Sequence, residues 1–201
     1  MAAPVVGFAP RRAWAARSKL SLAPLTGRLS LITGGAANIV VASAGGELLL
    51  VDGGAAADAG QLSKLLAENF PKQKLKAVLN THWHWAQSGF NATARKAGAD
   101  VLAHENTRLW LSTEVNSRWE GKVYKPQPAG ALPNKTFYYG LQSLPFGGGA
   151  VEYAHLGQAH TDGDVYVRFA EENVLVAGDV VSPSKYPIID SASNGWLGGI
   201  Q

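Results

Sequence analysis

Three short, largely apolar runs, Leu29 to Thr33, Asn38 to Ser43 and Glu47 to Val51, are separated by Gly-rich turns. Such runs predict a meander of three strands. The period changes over Ala56 to Asn69, where Leu62, Leu65 and Leu66 fall on one helical face, Asp58 stands near the start and Pro71 follows the end. This predicts an amphipathic helix. Leu75 to Asn80 reads as a strand, 88 to 97 as a short helix, Asp100 to Ala103 as a strand and Glu105 to Ser112 as a helix. Strand and helix in alternation predict a layered α/β domain.

The pattern lapses from Glu114 to Asn134, which holds Trp119, Tyr124, Pro126, Pro128 and Pro133. One long loop is expected there, either a lid offering aromatic contact to a substrate or a surface excursion whose Trp119 caps the core. Strand patterns return at Thr136 to Tyr139, Ala150 to Leu156, Val165 to Phe169 and Asn173 to Ala177, expected to form a second meander.

Composition narrows this picture in a few respects. The chain has 201 residues, 46% of them hydrophobic, enough for one compact domain with its own core. It has no cysteine, so disulfide scaffolds and Cys-ligated zinc are excluded. No apolar run reaches the roughly eighteen residues of a membrane span. Before Glu47 there are five basic residues, Arg11, Arg12, Arg17, Lys19 and Arg28, and no acid. This head has the composition of an organellar transit peptide and equally that of an N-terminal extension of a cytoplasmic bacterial protein, so residues 1–25 are left outside the expected domain of 26–201. The remainder is close to neutral, which gives no electrostatic reason to expect nucleic acid as a partner. A small-molecule substrate and no membrane partner are expected, with oligomeric state open.

Candidate chemistry gathers where predicted strands end. Thr81-His82-Trp83-His84 follows the run ending at Asn80, and an extended chain there puts His82 and His84 on one side. His160 lies in the turn-rich Gly157-Gln158-Ala159-His160-Thr161-Asp162-Gly163-Asp164, and Asp179 closes the apolar run 174–178. Ligands of α/β proteins collect beyond the carboxyl ends of strands. Zinc takes neutral imidazole nitrogens, and catalytic zinc uses three protein ligands and keeps one position open.

These motifs resemble the metallo-β-lactamase superfamily of zinc hydrolases, whose signature is His-x-His-x-Asp-His, then a His in a Gly-x-x-His-Thr-x-Gly-Asp turn, then an Asp in a Gly-Asp pair. Gly34 to Asn38 and Leu48 to Gly54 also resemble its opening strands, with Asp52 as the residue that braces the metal loop; the likeness runs over residues 27 to 201. The resemblance implies a four-layer αββα sandwich with His82, His84, His160 and Asp179 as metal ligands. Two departures qualify it. The family's Asp-His pair is Ala86-Gln87 here, and the chain stops at Gln201, short of the last helix, strand and metal-binding His that follow the family's Gly-Gly pair, here Gly198-Gly199. Alanine offers no donor and glutamine only a neutral carbonyl. One zinc and no second is therefore expected.

The implied function is a weakened mononuclear zinc hydrolase attacking an ester, amide, thioester or lactone with zinc-bound hydroxide, Asp179 being the one matching carboxylate left to aim that water. The alternative is a pseudoenzyme or fragment that keeps the fold for binding. His104 and His155 match no family ligand and are read as structural, Asp162 and Asp164 as turn residues, and Trp83 and Trp85 as packing residues pointing away from the histidines. The second half is expected to be short of its last helix and strand, leaving a sheet edge that a second copy would be able to cover.

Overall fold

The computed structural model describes residues 19–118, 120–182 and 186–200. Four antiparallel strands open it: β1 (Ser21–Thr26), β2 (Leu29–Thr33), β3 (Ile39–Ala44) and β4 (Glu47–Val51). Helix α1 (Ala59–Asn69) returns the chain to β5 (Lys74–Leu79), which pairs with β4 in parallel. Two short helices, α2 (Trp85–Ser88) and α3 (Asn91–Lys96), lead to β6 (Asp100–His104), also parallel, and α4 (Glu105–Ser112) follows. A small hairpin, β7 (Val115–Ser117) and β8 (Lys122–Tyr124), precedes β9 (Lys135–Phe137). The chain then builds an antiparallel sheet from β10 (Gln142–Phe146), β11 (Gly149–His155), β12 (Val165–Phe169) and β13 (Val174–Val176).

The strands form a seven-stranded sheet in the order β1-β2-β3-β4-β5-β6-β9 and a four-stranded sheet in the order β10-β11-β12-β13. Their facing sides make the main core, where Val40, Ala42, Leu49, Val51, Ala77 and Leu79 meet Phe146, Val151, Val165, Val167 and Phe169. Residues of opposite parity in the same strands, Ile39, Val41, Leu48, Leu50 and Val78, pack against Leu62 and Leu66 of α1 and Ala94 of α3. Burial on both faces is why Leu48-Leu49-Leu50-Val51 reads as an unbroken apolar run. The class is as expected, an α/β sandwich of two facing sheets. Among the described residues the helices stand against the seven-stranded sheet, and no α-helix follows β12 or β13.

Four sequence expectations are corrected. Residues 21–25, left outside the expected domain, form β1 with Thr26, paired against β2. Strand β10, which follows a Gly and contains Pro145, was not foreseen. Thr136 to Tyr139 does not join a second meander: β9 pairs in parallel with β6 and so extends the first sheet. The segment 114–134 is not one loop, since it holds β7, β8 and a 3₁₀ turn at Ala129–Ala131. Residues 1–18 and Trp119 lie outside the described residues. Among the latter, no helix is long and apolar enough to cross a membrane.

Candidate metal centre

The site forms where β4 and β5 end side by side. Asp52, directly after β4, adopts φ 65° and places its carboxylate under the next turn of chain. There its Oδ1 accepts from the Thr81 amide at 2.8 Å, and Thr81 Oγ1 lies 2.9 Å from Oδ2. The bend so held, not a continuing strand, carries His82 and His84, because β5 stops at Leu79 and α2 starts at Trp85. Burial pushes the Asp52 carboxyl up to about 7, against the lowering effect of the Thr81 hydrogen bonds. Gly178 crosses at φ 57°, where a Cβ would come within 2.7 Å of Thr81 Oγ1, so glycine is required both for backbone conformation and for space.

His160 arrives from the β11–β12 connection and Asp179 from just beyond β13. The ligating atoms of His82, His84, His160 and Asp179 all lie within 4.8 Å of one another. His84 Nδ1 is 3.1 Å from His82 Nε2 and 3.0 Å from His160 Nε2. The far nitrogen of each ring identifies its proton. His160 Nδ1 meets the Ile188 carbonyl at 2.6 Å, which can only accept. His84 Nε2 donates to Asp190 Oδ2 at 3.0 Å, and His82 Nδ1 lies 3.1 Å from Thr81 Oγ1, whose own proton goes to Asp52. In neutral rings the three converging nitrogens are therefore lone-pair bearers, with no proton to share. Burial first, then the neighbouring His84 and His160 rings, hold the His82 imidazole well below its usual value and keep it neutral.

Lone pairs that approach the one on His84 Nδ1 to 3.1 and 3.0 Å repel it unless a cation lies among them. A tetrahedral zinc with bonds of about 2.0–2.1 Å sets its ligand nitrogens about 3.3–3.4 Å apart, close to this spacing. The donor set fits zinc. Oxygen partners on the far nitrogens are also what metal-ligating histidines use to fix tautomer and direction.

Asp179 is half exposed, with Oδ2 3.8 Å from His82 Nε2 and 4.0 Å from His160 Nε2. Its Oδ1 accepts from Gln87 Nε2 at 3.2 Å. All four residues foreseen from sequence thus come together. A cleft of about 590 Å³ opens beside them, lined by His160, Gln87, Ala86 and Asp179 together with apolar residues that include Leu31, Val40, Val176 and Ile188.

Asp190 was missed in the sequence. It is fully buried, and although burial would raise its carboxyl, hydrogen bonds from His84, Ser193 and Ala192 outweigh this and bring it down to about 2. Its only sequence signal is an acid after Ile188-Ile189 opening Ser191-Ala192-Ser193, which reads as an ordinary turn. Trp83 does not point away from the histidines: its buried ring stands edge-on to His84 at 4.7 Å and to Tyr124 at 5.4 Å. The β7–β8 hairpin therefore backs His84 through Trp83, and none of the described residues of 114–134 lines the cleft. Trp85 is partly exposed, with Lys122 over its ring. His104 and His155 stack at 3.8 Å away from the centre. Asp164 accepts from the Thr161 amide and hydroxyl, the turn role expected; Asp162 does more, accepting from Trp110 Nε1 and Asn194 Nδ2.

Comparison with known proteins agrees with this fold. The chain is 24% identical over 197 residues to the 2,4-dinitroanisole O-demethylase subunit alpha of Nocardioides sp. (strain JS1661), covering 96% of this chain and 56% of that protein. The chain thus spans little more than half the length of this curated relative. A metallo-beta-lactamase from Pontibacter korlensis shares the fold with a TM-score of 0.71 at 17% identity, over 90% of this chain and 81% of that one. The DIM-1 metallo-beta-lactamase gives 0.64 at 17% identity, over 84% and 73%. The sequence profile described as the metallo-beta-lactamase superfamily matches residues 32–199, and the chain belongs to that superfamily.

Proposed function

We propose that this protein is a mononuclear zinc hydrolase acting on an ester, amide, thioester or lactone. The observation that carries the reading is the convergence of three lone-pair nitrogens, from His82, His84 and His160, each held by an oxygen on its far side. Bound there, zinc supplies a Lewis acid and lowers the pKa of a coordinated water to about 7. The chain's own residues do the rest. Asp179 Oδ2 faces the same point and accepts the proton of the attacking water; that proton then passes to the leaving oxygen, nitrogen or sulfur as its bond to the acyl carbon breaks. The apolar walls of the cleft hold the organic part of the substrate and exclude water around it.

Ala86 and Gln87 support a low rate, since neither is a carboxylate or imidazole able to hold a second ion. They equally favour the second reading, a zinc-binding protein without turnover. The relative named as a 2,4-dinitroanisole O-demethylase subunit adds an aryl methyl ether to the substrates worth assaying.

The test is zinc content after loading and desalting, beside a His82→Ala control and a panel of the named substrates. About one zinc per chain, absent from the control, with turnover that disappears in the same control, is the expected result. Zinc without turnover would move the assignment to the second reading, and a chain that takes up no zinc would overturn both.

A further inference from the structure

We infer that Gln87 is a positioning residue for the metal centre: its side-chain amide takes the place of a second cation and fixes Asp179 toward the three imidazoles. The inference rests on reading those imidazoles as zinc ligands.

Gln87 is 2% exposed, and its backbone is anchored by Gly53 N donating to its carbonyl at 2.7 Å. Its Nε2 donates to Asp179 Oδ1 at 3.2 Å, an assignment required by chemistry because a carboxylate accepts only. This leaves Asp179 Oδ2 on the side of His82 Nε2 and His160 Nε2, at 3.8 and 4.0 Å. Asp179 is 52% exposed and follows a strand of three residues, so little else restrains its rotamer. A hydrogen bond from a buried neighbour is what holds a half-exposed carboxylate in one orientation.

A second observation separates this role from packing. With Nε2 committed to Asp179, Gln87 Oε1 is buried with no hydrogen-bond partner among the described residues. An unpaired buried carbonyl costs stability, so an apolar side chain of the same size would suit the fold better. The amide stands where stability alone does not favour it, and its one hydrogen bond goes to the carboxylate at the centre. Partners that orient metal ligands typically change affinity about 10- to 100-fold when removed.

The test is zinc affinity, read by competition with a chromophoric chelator and needing no substrate. Gln87→Leu keeps the volume and removes the donor; Gln87→Met, unbranched and of equal length, repeats the test should Leu not fold. Zinc binding is expected to weaken about 10- to 100-fold with urea stability unchanged or raised. In an Asp179→Ala background the same substitution is expected to change affinity no further. Equal affinity in wild type and variant would overturn the inference and leave the zinc site standing, as would an equal loss in the Asp179→Ala background. A wild-type chain that binds no zinc, matching His82→Ala, would overturn this inference and the zinc reading together.

Discussion

At the scale of single residues, the centre depends on small side chains that hold its ligands. Thr81 is an example: one hydroxyl donates to Asp52 and accepts from His82, so it joins a buried carboxylate to a buried imidazole. Thr81→Val keeps the shape and removes both bonds, leaving Asp52 and His82 Nδ1 short of a partner. A loss of about 1–3 kcal/mol is expected in urea unfolding, and zinc affinity is expected to fall with it. The four candidate ligands were legible in the sequence because each sits in a short motif that resembles one of the family's. Asp190 was not, because its role comes from a contact with His84 that spans 106 positions, and nothing near it in sequence implies that partner.

At the scale of elements, the internal strands of the two large sheets were legible, as were the edge strands β9 and β13, while β1 and β10 at the opposite edges were not. Strands β4 and β5 carry apolar runs because both faces are buried. The two unforeseen strands of the large sheets, β1 and β10, each contain a proline, Pro24 and Pro145, and each lies at the edge of its sheet, where a missing amide costs no ladder hydrogen bond. Proline argued against strand in the sequence, and only edge position reverses that argument. Helix α4 has a cap of its own: His104 Nδ1 accepts from the Asn106 amide, while Nε2 faces the Tyr138 carbonyl at 3.1 Å. The first contact requires the neutral ring, since a protonated Nδ1 no longer accepts, whereas the Nε2 proton is donated to the carbonyl in either state. Burial first, then the stacked His155, lower the His104 pKa from 6.5, and the Tyr138 carbonyl, Asp162 and Glu105 oppose the shift. The unfolded chain therefore takes up a proton that the folded chain resists, and stability present above pH 6.5 is lost as pH falls below it. The urea midpoint is expected to drop between pH 7.5 and pH 5.5, and to drop less in His104→Asn, which keeps a capping acceptor without a titrating ring.

At the scale of the whole molecule, the candidate ligands come from both sheets. His82 and His84 follow β5 of the first, while His160 and Asp179 lie on connections of the second. An ion bound there cross-links the two halves of the sandwich and stabilises the folded chain by mass action, by about 2.7 kcal/mol at a free concentration one hundred times Kd. Zinc addition is expected to raise the melting temperature and a chelator to lower it, with neither effect in His82→Ala. The sequence order of motifs made this convergence legible in outline, but not which strands pair: β9 reads like its neighbours in sequence and is claimed by β6 through a parallel pairing more than thirty positions away.

Strand β13 draws these scales together. It is three residues long, lies at a sheet edge, has an exposed Leu175 at its middle, and ends just before Asp179. Short edge strands fray at far lower cost than a domain unfolds. The carboxylate is thus hinged on a short edge strand of the second sheet, whereas the three imidazoles are buried. Release of a bound ion would then be gated by local opening of this strand, and its residence time would follow the breathing of one edge of the protein rather than the strength of the fold.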